Sequence, residues 1–152
     1  MEVCRISVAE AWGRPEFAEL TREYASECAL AGLPDPAAKM EQYLVLESAG
    51  ADVFHALAAF HEDVLVGFVV VLTAKLPHYG STVAIAESLF VASQARKTGA
   101  GLALIRAAEA VAREQNSPAI LFSAPSGGRL DTLMPRLGYR ETNRVYMRSF
   151  YE

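Results

Sequence analysis

Two groups of residues in this 152-residue chain have the types and spacing to do chemistry, and they lie a few residues apart. The first is the turn Arg96-Lys-Thr-Gly-Ala-Gly101, which follows the apolar run Val83–Val91 and opens a helical pattern reaching Glu114. Glycines let the backbone come close to a ligand, and the first N–H groups of a helix lack intrahelical partners. With the helix dipole behind them, those groups form an anion site suited to a pyrophosphate. On the glycines alone, a plain turn of small residues packing a helix against a sheet is an equal reading, since one Gly-x-Gly is a weak signal. The second group centres on Glu87, inside the apolar run. Strand alternation would set it on one face with Val83, Ile85, Leu89 and Val91. A carboxylate alone among apolar neighbours loses hydration, which raises its pKa toward a value useful in proton transfer.

The rest of the chain supplies elements to hold these groups. Leu104, Ile105, Ala108, Val111 and Ala112 form one helical stripe after the turn. Val3–Val8 reads as a first strand. Pro15 stands at a favoured first helical position, with Phe17, Leu20, Tyr24 and Cys28 following on one face. Asp35-Pro36 gives an N-cap and the start of a second helix, which carries Met40, Tyr43, Leu44 and Glu47 and ends near Gly50. Val53–Phe60 and Val64–Thr73, joined by His61-Glu-Asp63, predict an antiparallel hairpin. Lys75–Gly80 is a loop before the strand Ser81–Val91. Then come a short strand at Pro118–Ser123, a loop at Ala124–Gly128, and a helical stripe of Leu130, Leu133, Met134 and Leu137 that Gly138-Tyr139 ends. Arg144–Phe150 makes a last strand, with Arg140, Arg144 and Arg148 on a solvated edge. The residues alone imply a mixed α+β sheet, read as one domain over residues 1–152.

The order Glu87-Ser-Leu-Phe-Val91, then Arg96-x-x-Gly99-x-Gly101-x-x-Leu104-Ile105, resembles the acetyl-CoA-binding motif of the GNAT N-acetyltransferase superfamily. It lacks the third glycine of a dinucleotide-binding fingerprint. The resemblance is strong here and supportive over most of the chain, including the hairpin segment Leu65-Val-Gly-Phe68 and the helix end at Gly138-Tyr139. It implies an α+β fold with a mixed central sheet of six to seven strands and about four helices, splayed at the cofactor strand. It also implies that the turn holds the pyrophosphate of coenzyme A through Lys97, Thr98, Gly99, Ala100, Gly101 and Leu102, with Arg96 opening the motif. The pantetheine and acetyl group fall to Leu89, Phe90 and Val91.

Acetyl transfer to an amine needs a placed thioester, a neutral amine and a proton for the departing thiolate, because an ammonium cannot attack. Fixed N–H donors would polarise the thioester carbonyl. Glu87 is the candidate base, or orients a cationic acceptor; the competing reading is a structural carboxylate paired with a cation. The chain departs from the family at the general acid. Where many GNAT enzymes carry a tyrosine, four residues before Gly138, this chain has Met134, whose thioether cannot donate a proton and whose place in the stripe is core packing. Pro135 also interrupts that helix. Three accounts stand open. Ser123, Ser126, Tyr139, Tyr146 or Tyr79 serves instead, with Ser123 and Tyr139 the candidates carried forward. Or solvent protonates the thiolate, or the protein binds acyl-CoA without transferring the acyl group. His78 and Tyr79 sit where they could reach the acceptor end of the slot.

Composition narrows the partners. Hydrophobic residues make up 52% and charged residues 21%, a globular profile without a disorder signature. A net charge of −4 disfavours a nucleic-acid footprint and fits a small or cationic acceptor. No apolar run reaches the length of a membrane span, and Glu2 and Arg5 leave no signal-peptide pattern. Cys4 and Cys28 read as buried thiols of a reducing, cytoplasmic compartment, and neither they nor His55, His61 and His78 have metal spacing, so no metal is expected. The expected function is an acetyl-CoA-dependent N-acetyltransferase acting on a primary amine of a small molecule, peptide or protein by direct attack in a ternary complex. Its rival is a non-catalytic acyl-CoA-binding or interaction module on the same fold. The resemblance also admits a homodimer.

Overall fold

The most apolar runs of the chain become the middle of a five-stranded sheet of order β1-β2-β3-β4-β5. The structure is a computed structural model that describes residues 1–34 and 39–150; the helix start expected at Asp35-Pro36 lies outside the described residues. β1 (Glu2–Arg5), β2 (Phe54–His61), β3 (Val64–Leu76) and β4 (Ser81–Val91) pair antiparallel, and β5 (Ile120–Phe122) lies parallel to β4. The β2–β3 hairpin turns on Glu62 and Asp63, both at positive φ (50° and 67°), the two-residue geometry that matches strand twist.

Helices cover both faces of the sheet. α4 (Ala100–Glu114) packs Leu104, Ala108 and Val111 against Leu57, Val69, Val71 and Ala84. On the other face lie α1 (Val8–Trp12), α2 (Phe17–Cys28) and α3 (Lys39–Ser48), contributing Val8, Phe17, Leu20 and Tyr43 against Ala58, Leu65, Val70 and Phe90. Gly67 is demanded by its neighbour strand, since a Cβ there would stand 2.7 Å from the Phe90 carbonyl oxygen.

Several expectations are corrected. Among the described residues the sheet has five strands rather than six to seven, because residues 140–150 form no strand and leave Val145, Tyr146 and Phe150 exposed. The three-residue β5 is the sheet's edge and offers too short a ladder for a further strand to pair with. The first strand stops at Arg5, because the Ser7 side chain accepts from the Glu10 N–H and caps α1, a helix absent from the sequence reading. Cys4 and Cys28 are exposed free thiols rather than buried ones. The helix after β5 breaks at Pro135 as expected, into α5 (Arg129–Leu133) and a 3-10 turn, Met134–Leu137, that Gly138 closes at φ 85° with Met134 buried. Among the described residues no helix is long and apolar enough to cross a membrane.

Candidate active site

The sheet opens along β4. Its ladder with β5 covers only Ala84–Ala86 against Ile120–Phe122, while its ladder with β3 runs on to Val91 opposite Gly67. Beyond Ala86 the strand is therefore single-sided, and a fork forms there. Ala92 donates its N–H to the Val66 carbonyl (2.9 Å). The alternation of an antiparallel ladder then turns the backbone groups of Phe90 toward β3 and those of Leu89 and Val91 toward the open side. The Val91 carbonyl on that side accepts from Arg96 Nε at 2.9 Å.

The turn at the end of the fork has the form expected of an anion site. Gly99 is in the left-handed region at φ 88°, and a Cβ built there would meet no atom within 4 Å. The first intrahelical bond of α4 is Ala103 N–H to Gly99 O (3.0 Å), so the N–H groups of Ala100, Gly101 and Leu102 precede any helical acceptor. Lys97, Thr98 and Gly99 are exposed around this opening. Open space, free donors and the helix dipole fit a pyrophosphate, and the fork's backbone groups fit an amide-bearing pantetheine arm. Arg96 is committed to the protein itself. It pairs with Glu27 at 2.6 Å, lies 3.9 Å from Glu23 and stands over the Phe90 ring, tying the motif loop to α2. Glu23 also accepts the Ser93 N–H at 2.8 Å.

Glu87 is the residue after the fork's last rung, and its surroundings differ from the expectation. The β3–β4 register jumps from Val70↔Ser88 to Val71↔Ala86, which makes Glu87 the extra residue of a β-bulge. Alternation therefore slips by one. Leu89 and Val91 pack on the α4 face, while Glu87 meets side chains of α3 and Ser88 those of α2 and α3. Tyr43 donates to Glu87 Oε2 at 2.5 Å, Ser88 donates to the same oxygen at 2.5 Å, and Lys39 Nζ lies 2.9 Å from Oε1. Lys39 also donates to Ser88 Oγ (2.7 Å) and Tyr24 Oη (2.6 Å), so its three N–H groups have three acceptors. The ammonium stands 5.1 Å from the Tyr24 ring centre and 5.4 Å from that of Tyr43, within cation–π range.

These contacts reverse the expected titration. Burial pushes the Glu87 carboxyl up, but the hydrogen bonds from Ser88, Tyr43 and Lys39, with the Lys39 charge, outweigh it and hold the group below the ordinary carboxylate value. Burial likewise pulls Lys39 down, and its bonds to Tyr24, Glu87 and Tyr43 more than offset this, leaving the ammonium above its usual value. Burial and the bond to Glu87 raise the Tyr43 phenol. The bulge thus holds an ionised carboxylate and a protonated lysine.

The other candidates separate. Ser123 directly follows Phe122, so it begins the β5 arm of the fork across from Glu87, and it is exposed. Tyr139 is turned away. Its hydroxyl donates to Glu109 at 2.6 Å, its ring stacks edge-on against Phe122, and it lines a separate cavity of about 320 Å³ with Glu109, Arg113 and Ile120. His78 and Tyr79 sit at the opposite end of β4, six residues before Glu87 from Ser81 on, roughly 20 Å along the strand, and do not reach the fork. The sequence reading missed Lys39, Tyr43, Tyr24 and Ser88 as site residues. The one signal was Lys39 and Tyr43 at i, i+4 on one helix; what they faced was set by tertiary packing. Beside the cluster a cavity of about 780 Å³ lies between α1–α3 and the sheet, walled by Tyr24, Lys39, Tyr43, Phe54, Phe68 and Val70 among others.

This chain belongs to the acetyltransferase (GNAT) family, whose sequence model matches residues 15–130. The fold is similar to that of a ribosomal-protein-alanine N-acetyltransferase from Brucella melitensis biovar Abortus 2308, with TM-score 0.71 and 21% identity over 99% of this chain and 100% of that one. It is similar to the aminoglycoside 6′-N-acetyltransferase AAC(6′)-IG from Acinetobacter haemolyticus, with TM-score 0.70 and 21% identity over 98% and 97%. A third likeness is to AAC(6′)-Iy in complex with a bisubstrate analogue of coenzyme A and acetylneamine, with TM-score 0.70 and 19% identity over 97% and 95%. None of the curated proteins compared with the chain matches it.

Proposed function

We propose that this acetyltransferase uses acetyl-CoA to acetylate a primary amine by direct attack at the fork of β4 and β5. The observation that carries the reading is the pairing of a turn with free helix-terminal N–H groups and an ionised carboxylate at the two ends of one segment, Glu87–Leu102, which opens with the single-sided end of β4. The N–H groups of Ala100, Gly101 and Leu102 would hold the pyrophosphate, and the open backbone of Leu89 and Val91 would take the pantetheine and polarise the thioester carbonyl. That a relative of this fold binds a coenzyme A bisubstrate analogue supports the assignment.

Glu87 then acts first as the acceptor's counter-ion. A carboxylate held below its ordinary pKa is a weak base but a strong partner for an ammonium, and the tyrosine rings at its side favour a cation. It binds and orients the amine, and takes its proton only as the C–N bond forms. The cavity beside it gives the acceptor's body an apolar wall. Ser123, at the start of the β5 arm, would protonate the leaving thiolate. Thermal unfolding tests the first half: coenzyme A and acetyl-CoA should each raise the midpoint, because a ligand of the folded state stabilises it by mass action. No rise with either ligand would mean that the turn is only structural.

A further inference from the structure

We infer that Lys39 is itself an acetylation site, modified within the molecule by acetyl-CoA bound at the fork. The inference rests on the proposed function above. Its ground is that Lys39 Nζ already stands where an acceptor amine would: 2.9 Å from Glu87 Oε1 and 2.7 Å from Ser88 Oγ, the first two residues past the last β4–β5 rung. Two tyrosine rings flank the ammonium and Tyr24 Oη accepts from it at 2.6 Å, so the chain has built an amine cradle around its own side chain. The side chain is 25% exposed, which leaves room to turn about its terminal bonds.

The step balances without any other reagent. The Lys39 ammonium gives a proton to the Glu87 carboxylate, and its freed lone pair turns to the thioester carbonyl carbon. The C–N bond forms and the C–S bond breaks, with the sulfur keeping the electron pair. The thiolate takes the nitrogen's second proton, directly or through water, and Glu87 returns its proton to solvent. The products are an acetamide on Lys39, coenzyme A as the thiol and one released proton. Because the ammonium is held strongly protonated, the reaction is slow; the proton passes within the Lys39–Glu87 pair before the C–N bond forms, so the rate changes little with pH while that pair keeps its proton. Acetylation also removes the cation paired with Glu87, so the modified protein presents an unpaired carboxylate to an incoming acceptor.

The chain's own lysines provide the control, since it has three: Lys39, Lys75 and Lys97. The protein is incubated with acetyl-CoA and no amine, and peptides are mapped by mass spectrometry over time and pH. Lys39 should gain one acetyl group faster than Lys75 and Lys97 by about a hundredfold, the scale on which a bound donor and a placed carboxylate act. The rate should not depend on protein concentration. It should fall in Glu87→Gln, and Lys39→Arg, which keeps the charge pair and the fold, should remove the signal. Lys39 unmodified, or modified no faster than the other two while acetyl-CoA still raises the unfolding midpoint, would overturn the inference and leave the proposed function standing. No midpoint rise at all would overturn both.

Discussion

The two halves of the site lie at the two ends of one short segment, Glu87 to Leu102, and are built from different materials. The Gly99 turn is made of backbone: a left-handed glycine, three helix-terminal N–H groups and empty space where a side chain would stand. The bulge at Glu87 is made of side chains, drawn from α2, α3 and β4 and joined by contacts of 2.5–2.9 Å. A backbone site depends on neighbours in sequence, so its glycine spacing and following helix announce it. A side-chain site depends on which helix face meets which strand, and a single register slip in β4 decides that. The turn is generic backbone. The bulge is specific and titratable.

The sharpest way to break the comparison is to put a side chain into the backbone half. Gly99→Glu should abolish the midpoint rise with coenzyme A, because a carboxylate would enter the anion site. Its own stability cost should be about 1 kcal/mol, from forcing a non-glycine residue to φ 88°. Retained coenzyme A binding by the folded variant would remove the turn from the site.

Next in size is Glu87→Gln. Losing a charge-assisted contact to the acceptor should raise KM for the amine by about 10–100-fold with a smaller change in kcat. The pH dependence follows from the lowered carboxyl. Its stabilising contribution is fully present above the ordinary carboxylate range and is lost only as pH falls through the lower folded value. The stability gap between wild type and Glu87→Gln should therefore stay level through neutral pH and close only in acid. Wild type losing stability relative to Glu87→Gln as pH rises from about 5 to 7 would mean a raised carboxyl, as sequence alternation implied.

Smaller effects should mark residues that hold the halves together. Arg96→Ala frees the motif loop from Glu27, Glu23 and the Phe90 ring, and should cost about 1 kcal/mol of stability together with a few-fold loss of coenzyme A affinity. Calorimetric unfolding with and without the ligand checks both. Tyr139→Phe should cost about 1 kcal/mol or less, for one hydrogen bond to Glu109, and leave amine-dependent turnover unchanged. A large loss of turnover would return Tyr139 to the reaction.

The limits of the sequence follow the same division. The hairpin, the strand Ser81–Val91 and the helix after Gly99 were legible because apolar periodicity, glycine placement and chain order all agreed. The role of Met134 as core, and the break at Pro135, were legible because each follows from one residue's chemistry. The bulge was not. Nothing in Ala-Glu-Ser-Leu marks a doubled position, and without it Glu87 shares one face and an apolar surround with Leu89 and Val91. Tyr43 reads as an ordinary residue of the second helix and Lys39 has no reading at all; both gain one only from the packing of α3 against β4. Residues 144–150 carry strand-forming composition, yet a three-residue edge gives them no ladder to join.

The central claim is that the two halves act on one reaction, and release of free thiol from acetyl-CoA measured against rising amine concentration tests it most directly. The account predicts amine-dependent release that saturates, is absent in Gly99→Glu and needs far more amine in Glu87→Gln. Acetyl-CoA that binds, raising the unfolding midpoint, while no amine of a broad panel stimulates thiol release would contradict it and leave a protein that holds the thioester without transferring it.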